Sequence, residues 1–198
     1  MNYLAHAYLS FRNPAILTGN LISDFVKGKK QFDFPPDVHA GIVLHRAIDT
    51  FTDEHAVTAA AKEIFRPQYR LYSGAFADVV YDHFLATDAS QFAGDSLFDF
   101  SQEVYSMLDK QVELFPAPFK QMYPYMKEHN WLYGYRERQG MKHSFQGLVR
   151  RSAYLTESTI AYGLFEEHYS TLQQCYNAFF PEVKAFAFNK LIELLSKK

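Results

Sequence analysis

The sequence predicts an all-α fold, and three of its features support that prediction. Apolar residues recur at the three- and four-residue spacing of amphipathic helices along most of the chain. No stretch shows the alternation of a half-buried strand, and no Asn-Gly pair marks a hairpin. Prolines fall where breaks between helices are expected. We therefore expect one compact helical bundle, with residues 1–198 as a single domain.

Proline and glycine set several of the predicted helix ends. Pro14 suits the first turn of the second helix, and Gly28 suits the stop that follows it. Pro67 and Pro181 are expected to end the helices before them, because proline lacks the amide hydrogen of a helical bond. The predicted helices span residues 2–10, 14–25, 37–55, 56–65, 74–87, 98–115, 118–128, 131–138, 141–155, 159–180 and 182–195.

Composition and charge narrow the class of protein. Apolar residues make up 48% of the chain, and 19 Phe with 14 Tyr predict an aromatic-rich core. With 20 Lys plus Arg against 22 Asp plus Glu, the net charge of −2 argues against a binder of duplex nucleic acid. A single cysteine, Cys175, fits a reducing compartment, and we expect the cytoplasm. No signal peptide and no apolar run of ~20 residues is recognisable, so we expect no membrane partner.

Residues 41–55, GIVLHRAIDTFTDEH, combine an apolar stripe with a row of ionisable side chains. At about 100° per residue, His45, Asp49 and Asp53 fall within roughly 80° of each other on a helix. The segment contains no lysine, although salt-bridge pairs with lysine are usual on surface helices. This combination of residue types is typical of a metal or phosphate site.

Other helical stretches place ionisable residues in apolar surroundings. Asp24 lies in an apolar run, where an unpaired carboxylate is costly. Asp78, Asp82 and His83 lie in GAFADVVYDHFLAT and are expected to face the His45 row. His6, beside the apolar face of the first helix, fits a core histidine as well as a ligand. The candidate metal-site residues are His6, Asp24, His45, Asp49, Asp78, Asp82 and His83.

This set of donors favours metal-dependent hydrolysis. Histidine and carboxylate ligands without thiolate suit Mn²⁺, Mg²⁺, Fe or Zn²⁺, and the abundance of carboxylates favours Mn²⁺ or Mg²⁺. The repeated Glu-x-x-His of di-iron oxidases is absent from the helices that contain His45 and Asp82. Glycine-rich phosphate loops and the G-x-S-x-G motif are also absent, which argues against nucleotide-driven and serine-hydrolase functions.

Several blocks of the sequence resemble the acyl carrier protein phosphodiesterase family. They are MNYLAHAYLS, GNLISDFVKG, FPPDV with GIVLHRAIDTFTD, DVVYDHFLA, WLYGYRERQG and LVRRS, from Asn2 to about Ser152. The resemblance implies Mn²⁺-dependent hydrolysis of the phosphodiester between 4′-phosphopantetheine and a serine of holo acyl carrier protein. It also implies a bundle like that of the HD-domain phosphohydrolases, all-α enzymes named for an adjacent His-Asp pair. Here His45 precedes Arg46, and residues 82 and 83 read Asp-His, so ligand roles do not transfer one by one.

For this reaction we expect five residues to hold the metal, namely Asp24, His45, Asp49, Asp82 and His83. Arg46 or a lysine would neutralise the phosphoryl oxygens. His6 or Asp78 would orient a ligand or donate a proton to the leaving group.

Substrate binding is predicted at a basic cluster, Lys27, Lys29 and Lys30, that closely follows Asp24. A slightly acidic chain would otherwise repel the strongly acidic carrier that the resemblance implies, so these lysines would attract it. An ordinary solvated loop is the alternative for this cluster. Two other functions also remain open: hydrolysis of a nucleotide or other small phosphoester, and a non-catalytic helical binding protein with a structural polar network.

Overall fold

The computed structural model describes residues 1–196, and its regular secondary structure in that range is entirely helical. The predicted all-α class is thereby confirmed. Short 3₁₀ helices connect the longer ones at Ser23–Phe25, Gly28–Asp33, Arg70–Tyr72 and Val112–Leu114. The α-helices are α1 (Tyr3–Tyr8), α2 (Pro14–Ile22), α3 (Pro36–Glu54), α4 (Ala56–Tyr69), α5 (Ser73–Thr87), α6 (Ser96–Asp109), α7 (Ala117–Glu128), α8 (Trp131–Gly134), α9 (Arg138–Arg151), α10 (Thr159–Glu167) and α11 (Tyr169–Ser196).

Helices α2 and α3 lie against each other with their backbones in contact. A Cβ atom on Gly19 would collide with the carbonyl oxygen of Val38, and one on Gly41 would collide with that of Ile16. Glycine at both positions therefore permits an approach that any side chain would prevent. This contact fixes α2 against the first two turns of α3, about one turn before His45.

Aromatic side chains fill the core, as the composition predicts. Ring centroids are 5.8 Å apart for Phe65 and Phe76, 5.3 Å for Phe76 and Phe145, and 6.2 Å for Phe145 and Phe165. These contacts join α4, α5, α9 and α10, and the buried residues of α1 through α11 form one continuous cluster. Packed aromatic pairs of this kind add to the free energy gained by burying apolar area.

Prolines end fewer helices than the sequence predicts. Pro67 and Pro181, which were expected to end helices, lie inside α4 and α11 respectively. The predicted break at residue 181 is therefore wrong, and the interruption lies instead at His168, between α10 and α11. Proline removes one helical hydrogen bond. Burial of neighbouring side chains such as Phe180 favours continuation of the helix despite that loss.

Other boundaries differ from the predicted ones by a few residues. The second helix ends at Ile22, and Ser23–Phe25 tightens into a 3₁₀ turn that leaves the Asp24 side chain 70% exposed. Gly28 follows with a φ of 57°, in the left-handed region expected for a stop. The helix predicted at 131–138 has only four residues, those of α8. Among residues 1–196, no helix combines the length and apolar character needed to cross a bilayer.

Candidate metal centre

Two histidines and an aspartate converge between α1 and α3. Nε2 of His6 lies 3.1 Å from Oδ1 of Asp49, and Nε2 of His45 lies 3.0 Å from Oδ2 of the same carboxylate. The two imidazole rings stack with their centroids 4.0 Å apart. One donor atom from each of the three side chains lies within 4.8 Å of the others, a spacing at which they can share one metal ion.

Asp24 extends this group from the turn after α2. Its Oδ1 lies 3.1 Å from Nε2 of His45, so this imidazole faces two carboxylates. Both histidines are buried, whereas the Asp24 side chain is 70% exposed and that of Asp49 is 39% exposed. The group therefore has a buried nitrogen side and an open carboxylate side. We refer to His6, Asp24, His45 and Asp49 as the His–Asp cluster.

Asn20 determines which nitrogen of His6 carries the proton. Its amide nitrogen donates to the carbonyl oxygen of His6 at 3.0 Å and to Oγ of Ser10 at 3.1 Å. Oδ1 of Asn20 therefore faces Nδ1 of His6, at 2.7 Å, and accepts the Nδ1–H hydrogen bond. In the neutral ring the other nitrogen, Nε2, keeps a free lone pair, and that lone pair is directed at Asp49.

This arrangement of lone pairs fits a bound cation. Burial and the neighbouring His45 lower the pKa of His6 to about 4, so its ring is neutral near pH 7. An unprotonated Nε2 at 3.1 Å from a carboxylate oxygen brings two acceptors together with no hydrogen between them. A cation that both atoms contact relieves that repulsion. The donor set, imidazole nitrogen with carboxylate oxygen, suits Mn²⁺ and related divalent ions.

The charges of the cluster are balanced through His45. Burial would raise the pKa of Asp49, but the hydrogen bond from His45 and the positive charge of the Met1 amino group outweigh burial and hold this pKa well below its usual value. Burial would likewise lower the pKa of His45, yet hydrogen bonds to Asp24 and Asp49 raise it to about 9. Nδ1 of His45 is buried without a hydrogen-bond partner among residues 1–196, so the contacts of Nε2 with the two carboxylates and the stacking on His6 orient this ring.

Asp78 reaches the cluster through the amino group of Met1. The Met1 nitrogen lies 2.9 Å from Oδ1 of Asp78 and 3.6 Å from Oδ1 of Asp49. Burial would lower the pKa of this amino group, but the two carboxylates raise it to about 10. Asp78 is therefore an indirect neighbour of Asp49, a position that suits the orienting role predicted for it.

Asp82 lies outside the cluster, at the N-terminal end of α1. Its carboxylate accepts hydrogen bonds from the backbone N–H groups of Asn2 at 3.2 Å, Leu4 at 2.7 Å and Ala5 at 3.3 Å. The side chain is fully buried, and these donors occupy its oxygens. The geometry does not support the predicted ligand role of Asp82. Instead this carboxylate stabilises the first turn of the helix that carries His6.

His83 also has partners of its own. Nδ1–H donates to the carbonyl oxygen of Tyr135 at 2.7 Å, and Nε2 accepts from the Tyr169 hydroxyl at 3.0 Å. The rings of Phe84 and Phe165 pack edge-on against it. Neither ring nitrogen is free to bind a metal, so the geometry does not support the predicted ligand role of His83 either.

We expect His83→Ala to destabilise the protein without weakening Mn²⁺ binding. The substitution leaves a cavity among aromatic rings and removes both hydrogen bonds, so the free energy of unfolding should fall by about 2–4 kcal/mol. Urea unfolding measures that loss, and calorimetric titration of the folded variant measures Mn²⁺ affinity. His6→Ala is the matched variant in which Mn²⁺ affinity should fall. A weaker Mn²⁺ affinity in folded His83→Ala would show that His83 is a metal ligand.

Arg46 contacts the loop after α2 and not the cluster. Its Nη1 donates to Oε1 of Gln31 at 2.7 Å, and its Nη2 donates to the carbonyl oxygen of Val26 at 2.9 Å. These bonds fasten the loop to α3. The predicted role of Arg46 in neutralising phosphoryl oxygens is therefore not supported by its position.

The predicted docking residues lie in that loop. Lys27, Lys29 and Lys30 are exposed, and none has a salt bridge within the described part of the chain. Phe32, 68% exposed, lies in the same loop. The loop thus presents three unpaired positive charges and an aromatic ring close in sequence to Asp24.

Asn20 is the residue of the site to which sequence reasoning assigns no role. It is fully buried, and it fixes the tautomer of His6. The sequence feature that could have pointed to Asn20 is its amide side chain within an apolar run. Asn20 lies four residues before Asp24 and therefore on the same helical face.

Comparison with known proteins identifies the family. A sequence model of the family described as acyl carrier protein phosphodiesterase matches residues 1–183. Relatives with the same description include one from Yersinia pestis, 33% identical over 193 residues that cover 97% of this chain and 100% of the relative. Another from Klebsiella pneumoniae is 32% identical over 194 residues, 96% of this chain and 99% of the relative. No solved structure matches significantly, and the expected likeness to HD-domain enzymes stays a prediction. By family match and near full-length similarity, the chain belongs to the acyl carrier protein phosphodiesterase family.

Proposed function

We propose that this protein is a metal-dependent phosphodiesterase that hydrolyses the bond between 4′-phosphopantetheine and the serine of holo acyl carrier protein. The products are apo acyl carrier protein and 4′-phosphopantetheine. Family membership supports the substrate and the reaction class. The observation that carries the metal chemistry is the unprotonated Nε2 of His6 directed at the Asp49 carboxylate.

In this proposal the metal ligands are His6, His45 and Asp49, whose donor atoms converge. Two histidines and one carboxylate leave positions open for water and substrate, as catalytic sites require. These residues would hold Mn²⁺, which would supply a Lewis acid for the phosphoryl group and lower the pKa of a water molecule at the site. Asn20 keeps the lone pair of His6 directed at this point, and Asp82 stabilises the turn of α1 from which His6 extends.

Asp24 suits activation of the attacking water in this proposal. Its Oδ1 lies 3.1 Å from Nε2 of His45, so the Asp24 carboxylate lies beside the proposed ligands, where it can accept a proton from water. It is also the most exposed member of the His–Asp cluster. An exposed carboxylate side admits the serine of a folded protein, which favours the carrier over a small phosphoester in a closed pocket.

The direct test incubates the purified protein with Mn²⁺ and holo acyl carrier protein, and follows the intact mass of the carrier. We expect loss of the phosphopantetheine mass, suppression by a chelator and recovery when Mn²⁺ is added back. If the carrier keeps its mass with every divalent metal tried, the proposed function is wrong.

Reversing Lys27, Lys29 and Lys30 to Glu is expected to raise KM for the carrier by about 10-fold or more and to flatten its dependence on salt. Exposed charges act mainly on the association rate and are screened beyond about 8 Å at physiological ionic strength. Hydrolysis of bis(p-nitrophenyl) phosphate, a small diester, should stay unchanged.

Steady-state kinetics at several salt concentrations check this prediction. Equal losses on both substrates would assign the three lysines to the chemistry or the fold. No loss on either substrate would move carrier docking to the basic region between Arg136 and Arg151.

A further inference from the structure

A second concave site lies beside α1. It is a cavity of about 860 Å³ between α1, α7, α8 and α9. Tyr3, Trp131 and Tyr135 form aromatic walls, and the exposed Arg150 and Arg151 also line it. We refer to this space as the arginine cavity.

The charged groups of the arginine cavity are of one sign. Its lining contains two arginines, Arg150 and Arg151, and no Asp or Glu among the described residues. Neither arginine forms a salt bridge within residues 1–196. Unpaired guanidinium groups beside aromatic surfaces are suited to binding a phosphate, with bidentate hydrogen bonds to its oxygens.

Helix α1 connects the arginine cavity to the His–Asp cluster. Tyr3 lines the cavity, and His6, about one turn further along α1, belongs to the cluster. Burial raises the pKa of the Tyr3 hydroxyl to about 12, while Arg151 lowers it and Asp24 raises it. The Tyr3 hydroxyl therefore lies within electrostatic reach of Arg151 in the cavity and of Asp24 in the cluster.

Small residues keep the arginine cavity open. Helices α8 and α9 approach so closely that a Cβ atom on Gly140 would collide with the carbonyl oxygen of Gly134. Further along α9, no atom lies within 4 Å of the position a Cβ atom on Gly147 would take. Gly140, Ser144, Gly147 and Arg151 recur at the helical spacing and form one stripe that lines the cavity.

We propose that the arginine cavity binds the 4′-phosphopantetheine arm of the substrate, with Arg150 and Arg151 on the phosphate side and the aromatic walls along the neutral chain. This assignment rests on the proposed function and adds the residues that recognise the arm. The arm consists of one phosphate followed by a neutral chain that carries a hydroxyl group and two amides and ends in a thiol. Its charge and polarity match a cavity with two free arginines, aromatic walls and no carboxylate among its described lining residues. The two arginines also supply the positive charge that Arg46, held by the loop, does not bring to the phosphate.

Gly147→Leu tests this assignment by filling the arginine cavity. The new side chain enters open space, and leucine is a better helix former than glycine, so α9 should stay folded. Gly163→Leu in α10, where the Cβ position is equally open, is the matched control outside the cavity. Free 4′-phosphopantetheine is titrated calorimetrically into each Mn²⁺-loaded protein, and pantetheine without the phosphate serves as the second probe.

We expect Gly147→Leu to weaken binding of both probes by about 10-fold or more, and Gly163→Leu to leave both unchanged. Replacing Arg150 and Arg151 by Gln should weaken 4′-phosphopantetheine binding by about 10- to 100-fold, the effect of losing hydrogen bonds to a charged group. Binding of pantetheine should then stay close to that of the wild type.

The outcomes separate this assignment from the proposed function. If the wild type hydrolyses the carrier and Gly147→Leu binds and turns over normally, the cavity assignment is wrong and the function stands. If the wild type leaves the carrier intact but binds 4′-phosphopantetheine in a Gly147- and Arg151-dependent way, the function is wrong and the assignment stands. Absence of binding to the wild type overturns the assignment.

Discussion

Asp49→Asn is expected to lower kcat/KM for holo acyl carrier protein by at least about 100-fold, more than the loss typical of a residue that only orients a ligand. Both oxygens of this carboxylate are engaged, Oδ1 with His6 and Oδ2 with His45. Asparagine keeps the shape but removes the negative charge and replaces one acceptor with an N–H donor. Steady-state kinetics and Mn²⁺ titration measure the effect, and circular dichroism checks that the helices remain.

Asp53→Asn is the matched control for that substitution. Asp53 lies one turn further along α3, its side chain is 69% exposed, and its carboxylate pairs with Lys62 at 2.6 Å. We expect activity and Mn²⁺ affinity close to those of the wild type. A similar loss in both variants would show that general negative charge on α3 matters and not the position of Asp49. Normal turnover by Asp49→Asn would remove the proposed site altogether.

Gly19→Ala is expected to lower the free energy of unfolding by about 3 kcal/mol, at the upper end of the usual cost of overpacking. The added methyl group would meet the backbone carbonyl of Val38, which cannot rotate away as a side chain can. Helices α2 and α3 must separate to admit it. That separation moves Asn20 and Asp24 relative to His45, so activity should fall together with stability.

Urea unfolding and the carrier assay at a temperature where the variant is folded measure these two effects. Gly163→Ala is the control, because its Cβ position is open and alanine is the better helix former. It should leave activity unchanged and stabilise the protein by up to about 1 kcal/mol. Equal stability of Gly19→Ala and the wild type would contradict the backbone contact between α2 and α3.

Local spacing predicted part of the candidate site for a sound physical reason. His45 and Asp49 are four residues apart on one helix, so their side chains share a face whatever the helix packs against. Asp82 and His83 are adjacent, and adjacent helical side chains diverge by about 100°. They therefore face different neighbours: Asp82 faces the start of α1, and His83 faces Tyr135 and Tyr169.

The same spacing of about 100° explains why the Arg46 side chain lies away from the His–Asp cluster. It follows His45 directly, so a helix that directs the imidazole into the cluster must direct the guanidinium elsewhere. In the structure, the Arg46 guanidinium binds the loop that contains Gln31. Positive charge for the phosphate must then come from another element, which the arginine cavity of α9 supplies in our proposal.

By itself the sequence determined the helical class, the aromatic core and the chemical character of the site, because periodicity and residue type are local properties. The tertiary structure decided that α4 and α11 continue through proline, that Asp82 binds backbone N–H groups, and that Asn20 fixes the proton of His6. Each of these depends on which atoms lie opposite a given helix face. Local spacing shows that a face is buried, and only the packing of distant segments shows what it is buried against.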